Sequence, residues 1–114
     1  YANTISVILV IIRMKVIAKK RKELSQTVVS LIGHLRTEMG CRRCDFYRCM
    51  EDENKLCILE EWDTRENFDR HLKSERFRVL RGAMNLLQEP DEMQVHTVAA
   101  GVKRTKAGPQ SAGG

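Results

Sequence analysis

Long apolar runs and aromatic residues are both scarce in this sequence. The most apolar stretch, 7–12, is far shorter than the roughly 20 residues with which a helix crosses a membrane. Basic residues follow this stretch, whereas a signal peptide carries them in front. The sequence therefore predicts no membrane partner and a cytoplasmic location. The chain begins with Tyr1 rather than Met, which leaves a preceding leader open.

The chain has a net charge of +5, which could indicate nucleic-acid binding, but only 5% of its residues are aromatic. Basic residues cluster at 19–22 and 103–106, and neither run is interleaved with aromatics on which nucleic-acid bases would stack. We interpret both runs as solvated surface and expect no nucleic-acid partner. RNA-recognition modules are the rival class, because they share the element order predicted below. They stack bases on aromatics of the third strand, and residues 55–59 contain none.

Motifs for nucleotide cofactors and for covalent hydrolysis are missing as well. The 114 residues contain no nucleophile elbow, phosphate loop or dinucleotide fingerprint. A chain of this length, 42% hydrophobic, fits one domain with one core. A domain this small is only modestly stable alone, and burying surface against a second copy is an effective remedy.

Four cysteines in a chain with an expected intracellular location favour free thiols over a disulfide framework, and their spacing does not fit a zinc site. Cys41 and Cys44 form a C-x-x-C pair, but Gly40 is expected to end a helix just before them. A redox pair of this spacing instead opens a helix, whose N-terminus lowers the thiol pKa. Cys49 and Cys57 lack the paired spacing of further zinc ligands. We expect four free thiols with no metal or redox role.

Hydrophobic periodicity predicts the secondary structure. The first strand is apolar on both faces, so both faces must be covered. Helical spacing then places an apolar stripe on the first helix, with Ser30, His34 and Glu38 on its wet side and Gly40 as its left-handed stop. The stripe consists of Leu24, Val28, Leu31, Ile32, Leu35 and Met39. The predicted elements are a strand over 6–14, a helix over 18–39, strands over 43–50 and 55–62, two short helices, and a strand over 93–100.

Local signals set the turns between these elements. A hairpin turn centred near Glu53 would pair Cys49 with Cys57 and Tyr47 with Leu59. Asp63, followed by Glu66 three positions later, is expected to cap the second helix. Ser74 is expected to cap the third helix, which stops before Pro90 and carries Phe77, Leu80, Met84 and Leu87 on one side.

This order of elements is the split β-α-β arrangement of a ferredoxin-like α+β fold, an antiparallel four-stranded sheet with helices on one face. We predict one such domain over residues 1–102 and a disordered basic, glycine-rich tail over 103–114. Helices cover only one sheet face, yet the first strand is apolar on both. A second copy packed sheet to sheet, forming a homodimer, is the simplest cover.

One stretch of the sequence resembles the antibiotic biosynthesis monooxygenase family, whose members carry an E-x-W followed by an H-L-x-S-x-x-F run. The Gly40–Cys41 turn and the 45–47 strand are also similar, and the resemblance covers 5–102. The residues that match the motif are Glu60, Trp62, His71, Leu72, Ser74 and Phe77.

This resemblance implies a dimeric α+β barrel with a pocket between the helices and the concave sheet face of each subunit. Characterised relatives oxidise quinols or polycyclic phenols with oxygen, often with no flavin or metal. Others degrade haem, act on signalling molecules or have no known activity. The haem-degrading branch places a tryptophan at His71, a ligating histidine at Arg81 and an asparagine at Ile12, so haem degradation is not expected here.

His71 is the first candidate for catalysis. A neutral imidazole, with an ordinary pKa of about 6.5, accepts the proton of a phenol or quinol, whose anion is the better electron donor to oxygen. The alternative interpretation is that His71 bridges helix and sheet structurally. Trp62 and Tyr47 are expected to bind the substrate ring. The alternative for Trp62 is to fill the core or the dimer contact, as a large aromatic at a strand end more often does, and the alternative for Tyr47 is an interface aromatic. The remaining predicted pocket walls, which are core residues first, are Phe68, Leu72, Phe77 and Met84.

The two adjacent glutamates of the third strand and the histidine of the last strand are also given predicted positions. Glu60 and Glu61 adjoin on a strand and so point to opposite faces, and the inward one is expected to enter an ion pair. His96 belongs to either the pocket or the interface. The leading hypothesis is a cofactor-independent monooxygenase acting on a small aromatic or quinol-like ligand. The second is a non-catalytic or stress-response dimer that holds a ligand in the same pocket.

Overall fold

The computed structural model describes residues 5–100, and the predicted tail over 103–114 lies outside them. Among the described residues, no helix combines the length and the apolar character needed to cross a membrane. The elements are β1 (Ser6–Lys15), α1 (Arg21–Leu35), β2 (Cys41–Arg48), β3 (Lys55–Trp62), α2 (Arg65–Leu72), α3 (Glu75–Ala83) and β4 (Glu92–Ala99). The predicted domain bounds of 1–102 stay a prediction.

The four strands form one antiparallel sheet in the order β2-β3-β1-β4. Strand β1 lies between β3 and β4, with Val10 opposite both Glu60 and Val95. The helices cover one face, hereafter the inner face, and this confirms the predicted ferredoxin-like α+β fold. Since side chains alternate along a strand, the even-numbered residues of β1 and β3 point inward.

The core lies between this inner face and the helices. On β1, Val10 and Ile12 are fully buried, and they pack with Leu24 and Val28 of α1. Trp62 at the end of β3 and Phe68 of α2 are the largest fully buried side chains. Burying a side chain of this kind stabilises the fold by about 1.5–3 kcal/mol, which is why the apolar stripes decide how the helices pack.

Helix α1 is shorter than its sequence pattern predicts. A 3-10 turn over Ala18–Lys20 precedes it, and it ends at Leu35 rather than at 39. After Leu35 the chain makes tight turns, with the Cys41 amide donating to the Glu38 carbonyl and Gly40 at φ 85°. The predicted left-handed stop at Gly40 is confirmed. The placement of Met39 on the buried stripe was wrong, because that side chain is 70% exposed.

The hairpin between β2 and β3 has a different register from the predicted one. Tyr47 lies opposite Cys57 rather than Leu59, so the turn centres on Asp52 and not on Glu53. The cause is local, since Asp52 accepts hydrogen bonds from the backbone amides of Asn54 and Lys55. This Asx-type turn closes the loop one residue earlier than symmetry about Glu53 requires.

The short helices have well-defined starts. Thr64, not Asp63, caps α2 by accepting from the Asn67 amide, while the Asp63 carboxylate accepts from the Asn67 side chain. Ser74 caps α3 as predicted, by accepting from the Phe77 amide. Helix α3 ends at Ala83 and continues as a 3-10 turn over Met84–Leu86, so the α-helix stops earlier than the predicted limit before Pro90.

The outer face of the sheet carries no helix of the described chain. Leu9, Ile11 and Leu59 lie half-buried at its centre, and Leu59 is the cross-strand partner of Ile11. Charged residues surround this apolar centre, including Arg13 and the ion-paired Arg43 and Glu61. The strand is therefore apolar on both faces as predicted, and its outer side remains partly open within one chain.

Substituting Gly40 tests the turn that follows α1. An added Cβ would overlap the Asp63 carboxylate and approach the Asn67 Cβ to 2.6 Å, at a positive φ that favours glycine. We expect Gly40→Ala to lower the free energy of unfolding by about 2–4 kcal/mol, measured by urea denaturation.

Gly33→Ala is the matched control, because a Cβ at Gly33 meets nothing within 4 Å and the residue lies inside α1. It should leave stability unchanged or raise it by about 0.5–1 kcal/mol. Equal effects of the two substitutions would contradict the role given to Gly40.

Candidate functional site

A buried histidine lies at the centre of the candidate site. His71 is in the last turn of α2, three residues after the buried Phe68, so both side chains face the sheet. Only 1% of His71 is exposed, although His is a residue that usually keeps contact with water. Such a group requires polar partners inside the core.

Two carboxylates supply those partners. The His71 Nδ1 lies 3.0 Å from Glu38 Oε1, and its Nε2 lies 3.8 Å from Glu60 Oε1. Glu60 is the inward residue of the Glu60–Glu61 pair, and it also accepts a 2.8 Å hydrogen bond from Trp62 Nε1. The predicted opposite orientation of the two glutamates is confirmed. The contact between Glu60 and His71 Nε2 is an ion pair only when the imidazole is protonated, so the expected ion pair of the inward glutamate stays a prediction.

Aromatic rings enclose the imidazole. Trp62 stacks on His71 with ring centroids 4.6 Å apart and an interplanar angle of 26°. Phe77 of α3 meets the His71 ring edge-on, with centroids 5.3 Å apart, and Phe68 lies 6.5 Å away. These rings exclude water and fix the orientation of the imidazole.

Burial controls the protonation of this cluster. Desolvation raises the pKa of Glu60, while the Trp62 hydrogen bond and the His71 charge act in the opposite direction. Three buried atoms have no hydrogen-bond partner among residues 5–100, namely Glu38 Oε2, Glu60 Oε2 and His71 Nε2. These three atoms are the positions at which a polar group entering the cluster could form a hydrogen bond.

Two thiols lie beside Glu60 on the inner face. Cys44 is its cross-strand partner, and an irregularity between Cys41 and Arg43 turns Cys41 to the same side. Burial raises the pKa of Cys41 to about 11 and raises that of Cys44 as well. Both are therefore protonated, weakly nucleophilic thiols at neutral pH. All four cysteines are free in the described chain.

The structure brings most of the predicted site residues together. Trp62, Phe68, His71 and Phe77 form the cluster, and Leu72 and Met84 pack against the same core. Tyr47 does not join them, because it lies on the outer face with 48% of its surface exposed. His96 is exposed on the outer face as well, opposite Leu9. Within one subunit, Tyr47 and Trp62 cannot contact the same ring.

Glu38 is the site residue that sequence analysis missed. The prediction that it shares the wet side of α1 with Ser30 and His34 was wrong, because α1 ends before it. The turn to Gly40 instead directs Glu38 to His71, and its side chain is only 13% exposed. Spacing along the sequence gives no sign of this pair, since the contact links residues 33 positions apart.

The fold and the buried cluster of Glu60, Trp62 and His71 define a ferredoxin-like α+β protein with a histidine enclosed between the sheet and the helices. The model of the antibiotic biosynthesis monooxygenase family matches residues 7–82. The chain belongs to this family. No curated protein sequence matches the chain.

Solved structures share the fold closely. A conserved protein of Methanosarcina mazei is 26% identical with a TM-score of 0.76, and the match covers 79% of this chain and 90% of that one. A Mycobacterium tuberculosis protein is 25% identical with a TM-score of 0.75, covering 88% and 99%. A candidate antibiotic biosynthesis monooxygenase of Caulobacter crescentus is 19% identical with a TM-score of 0.74, covering 80% and 88%, which supports the fold alone.

Glu60→Gln tests the electrostatics of the cluster. Because its pKa is raised, folded Glu60 retains its proton over a pH range in which the unfolded chain has lost it. Its contribution to stability is therefore complete below the usual value of 4.5 and falls as pH rises from there through the folded pKa. Gln keeps an oxygen for Trp62 Nε1 but does not titrate. We expect the variant to lose less stability between acidic and neutral pH, measured by urea denaturation at several pH values.

Glu61→Gln is the control, since Glu61 lies next in sequence but on the outer face. It should retain the part of the pH dependence that Glu60 causes. A Glu60→Gln variant whose stability follows pH as the wild type does would show that Glu60 does not titrate abnormally.

Proposed function

We propose that this protein is a cytoplasmic, cofactor-independent monooxygenase that oxidises a small aromatic or quinol-like substrate with molecular oxygen. One observation carries the proposal: a buried histidine is oriented by a carboxylate, stacked on Trp62, and left with a free Nε2 among the described residues. Membership of the antibiotic biosynthesis monooxygenase family supports the same class of reaction.

His71 acts as the proton acceptor in this proposal. Glu38 Oε1 accepts the Nδ1 proton at 3.0 Å, which fixes the tautomer and leaves the Nε2 lone pair free. Nε2 then takes the proton of a substrate hydroxyl, and the resulting phenolate or enolate transfers electrons to oxygen more readily than the neutral form. The nearby Glu60 carboxylate stabilises the imidazolium that forms.

The remaining steps balance without a further reductant. The substrate supplies all four electrons that molecular oxygen accepts. Two come from replacing one of its C–H bonds by a C–O bond, and two come from its dehydrogenation to the quinone level. Its two released hydrogens end in water. One atom of oxygen enters a new carbon–oxygen bond, and the other leaves as water. The protein contributes binding, deprotonation and exclusion of bulk water, which is consistent with the aromatic enclosure of His71.

The substrate ring must reach His71 by displacing side chains, because the imidazole is 1% exposed. The route in this proposal passes Leu72 of α2, Phe77 of α3 and Met84 of the following 3-10 turn. These three side chains are only partly buried where they pack against the core. The substrate ring then stacks on Trp62 alone, because Tyr47 lies on the opposite face of the sheet. Movement of these side chains is a part of the proposal that a ligand-bound structure would test.

The homodimer belongs to this proposal as well. The half-buried Leu9, Ile11 and Leu59 at the centre of the outer face have no cover within residues 5–100. A second copy of the chain would remove this apolar area from water at about 25 cal/mol per Å². The sheet-on-sheet pairing expected from the family resemblance fits this face.

A non-catalytic ligand-binding or stress-response dimer is the second candidate function. The tight packing around His71 favours it, because a structural histidine between two glutamates needs no substrate. In that case the same inner pocket would bind an aromatic ligand without oxygen consumption.

Oxygen uptake with a panel of hydroquinones and anthrones distinguishes the two functions. His71→Asn removes the Nε2 base, whereas its amide nitrogen can still donate to Glu38. We expect kcat to fall by about 10²–10⁴-fold, since general base catalysis contributes that much. The measurement is an oxygen electrode under air, with circular dichroism to confirm folding.

His34→Gln is the matched control, because His34 is exposed on α1, away from both the His71 cluster and the outer face. Full turnover by His71→Asn would remove His71 from catalysis. Tight binding of an aromatic by the wild type with no oxygen uptake would instead establish the second candidate function.

Ile11→Lys tests the proposed dimer. A charge at the centre of the outer face should prevent burial against a second copy, because an unpaired buried charge is costly. Sedimentation velocity at micromolar concentration should show a dimer for the wild type and a monomer for the variant. Val29→Lys, on an α1 position that is 63% exposed, should remain dimeric. A wild-type monomer would refute the dimer.

A further inference from the structure

A cavity lies on the outer face, away from His71. It has a volume of about 520 Å³, within the range of small-molecule sites, and it opens where β1 ends beside the β2–β3 hairpin. Arg13, Lys15, Tyr47 and Cys57 are among its walls. The buried cluster of Trp62 and His71 faces the other side of the sheet, so the cavity has no part in the proposed oxidation.

Cations dominate this cavity. Arg13, Lys15 and Lys55 face it against two carboxylates, Glu89 and Glu92, which leaves an excess of one positive charge (three minus two). Arg48 is also a wall residue, but it is the cross-strand partner of the buried Leu56, so its side chain belongs to the inner face. Within residues 5–100, none of the three outer-face cations has a carboxylate oxygen within 4.0 Å. The uncompensated charge is therefore concentrated in one concave site.

Two of these cations are placed directly against each other. Lys15 of β1 is the cross-strand partner of Lys55 of β3, and like charges in that arrangement destabilise a sheet. Elsewhere on the same face the opposite arrangement occurs, since Arg43 pairs with Asp45 at 2.9 Å and with Glu61 at 3.6 Å. A bound anion between Lys15 and Lys55 would turn a repulsive pair into a favourable one.

The cavity also offers an apolar wall. Tyr47 is 48% exposed and lies opposite Cys57, with Pro90 on the far side. The ring is large, flat and free to stack, while Gln94 holds the guanidinium of Arg13 through a 2.7 Å hydrogen bond. A ligand here is thus met by charge at one end and by an aromatic face at the other.

We propose that this cavity binds a small organic anion, with a carboxylate, phosphate or sulfonate between Lys15 and Lys55 and a flat apolar body on Tyr47. The site is independent of the proposed monooxygenase function. It lies at one end of the outer face, next to the apolar centre of Leu9, Ile11 and Leu59, so the proposal requires that a second copy docked on that centre leave Lys15 and Lys55 accessible.

A pair of matched fluorescent probes tests the proposal on the full chain. Anilinonaphthalene sulfonate carries one sulfonate on an aromatic body, and phenylnaphthylamine is the same body without charge. The wild type should bind the sulfonate probe more tightly than the neutral probe. Added salt should lower the affinity for the sulfonate probe only. Removing both lysines with Lys15→Gln and Lys55→Gln should weaken sulfonate binding by about three- to tenfold and leave the neutral probe unchanged.

The control removes two lysines that lie outside the cavity, Lys22→Gln and Lys73→Gln, and should leave both probes unchanged. A second readout needs no ligand. Because Lys15 and Lys55 repel each other, Lys55→Gln should raise Tm by about 1–5 °C in the absence of the probe.

Three results would overturn the anion site. The two probes could bind equally well, or the two double variants could weaken the sulfonate equally. A change in sedimentation coefficient confined to the Lys15→Gln/Lys55→Gln variant would assign these lysines to contacts with a second copy. Each outcome is separable from the oxygen-uptake assay, because no residue of the cavity belongs to the His71 cluster.

Discussion

The burial of His71 and Glu60 in an apolar core is the constraint on which the rest of the structure depends. Each charged group left alone there costs several kcal/mol, so the imidazole and the carboxylates must meet with correct geometry. Three separate parts of the chain supply them, namely the turn after α1, strand β3 and helix α2. Gly40 permits the turn that carries Glu38, and Thr64 fixes the start of the helix that carries His71.

The sheet separates two chemical environments that the sequence interleaves residue by residue. Along β3, Glu60 and Trp62 enter the dry cluster, while Cys57 and Lys55 belong to the outer face. Deprotonation of a substrate suits the dry side, where a carboxylate and an imidazole interact strongly because water is excluded. Recognition of a charged ligand suits the outer side, where the cations stay hydrated until the ligand arrives.

Much of the fold could be predicted because its signals are local. The apolar run of β1, the stripe of α1 from Leu24 to Leu35 and the cap at Ser74 all act over a few residues, and each was confirmed. The prediction was wrong at the turn of the hairpin and at the end of α1, where two neighbouring residues or turns fit the sequence pattern almost equally well. Asp52 rather than Glu53 centres the hairpin, and the last turn of α1 is lost although Met39 fits the helical period. Each error amounts to a few residues, but the second one concealed Glu38 as a partner of His71.

The sequence by itself determined the fold class, the family and the identity of most residues around His71, because periodicity and a short motif encode them. Only the tertiary structure decided that Glu38 orients the imidazole, that Tyr47 lies on the opposite face, and that Lys15 meets Lys55. These facts depend on the exact end of a helix and on the register of paired strands. A shift of one residue in strand register would move every side chain of that strand to the other face, and a longer α1 would turn Glu38 away from His71. Neither the register nor the helix end is fixed by neighbours in the chain.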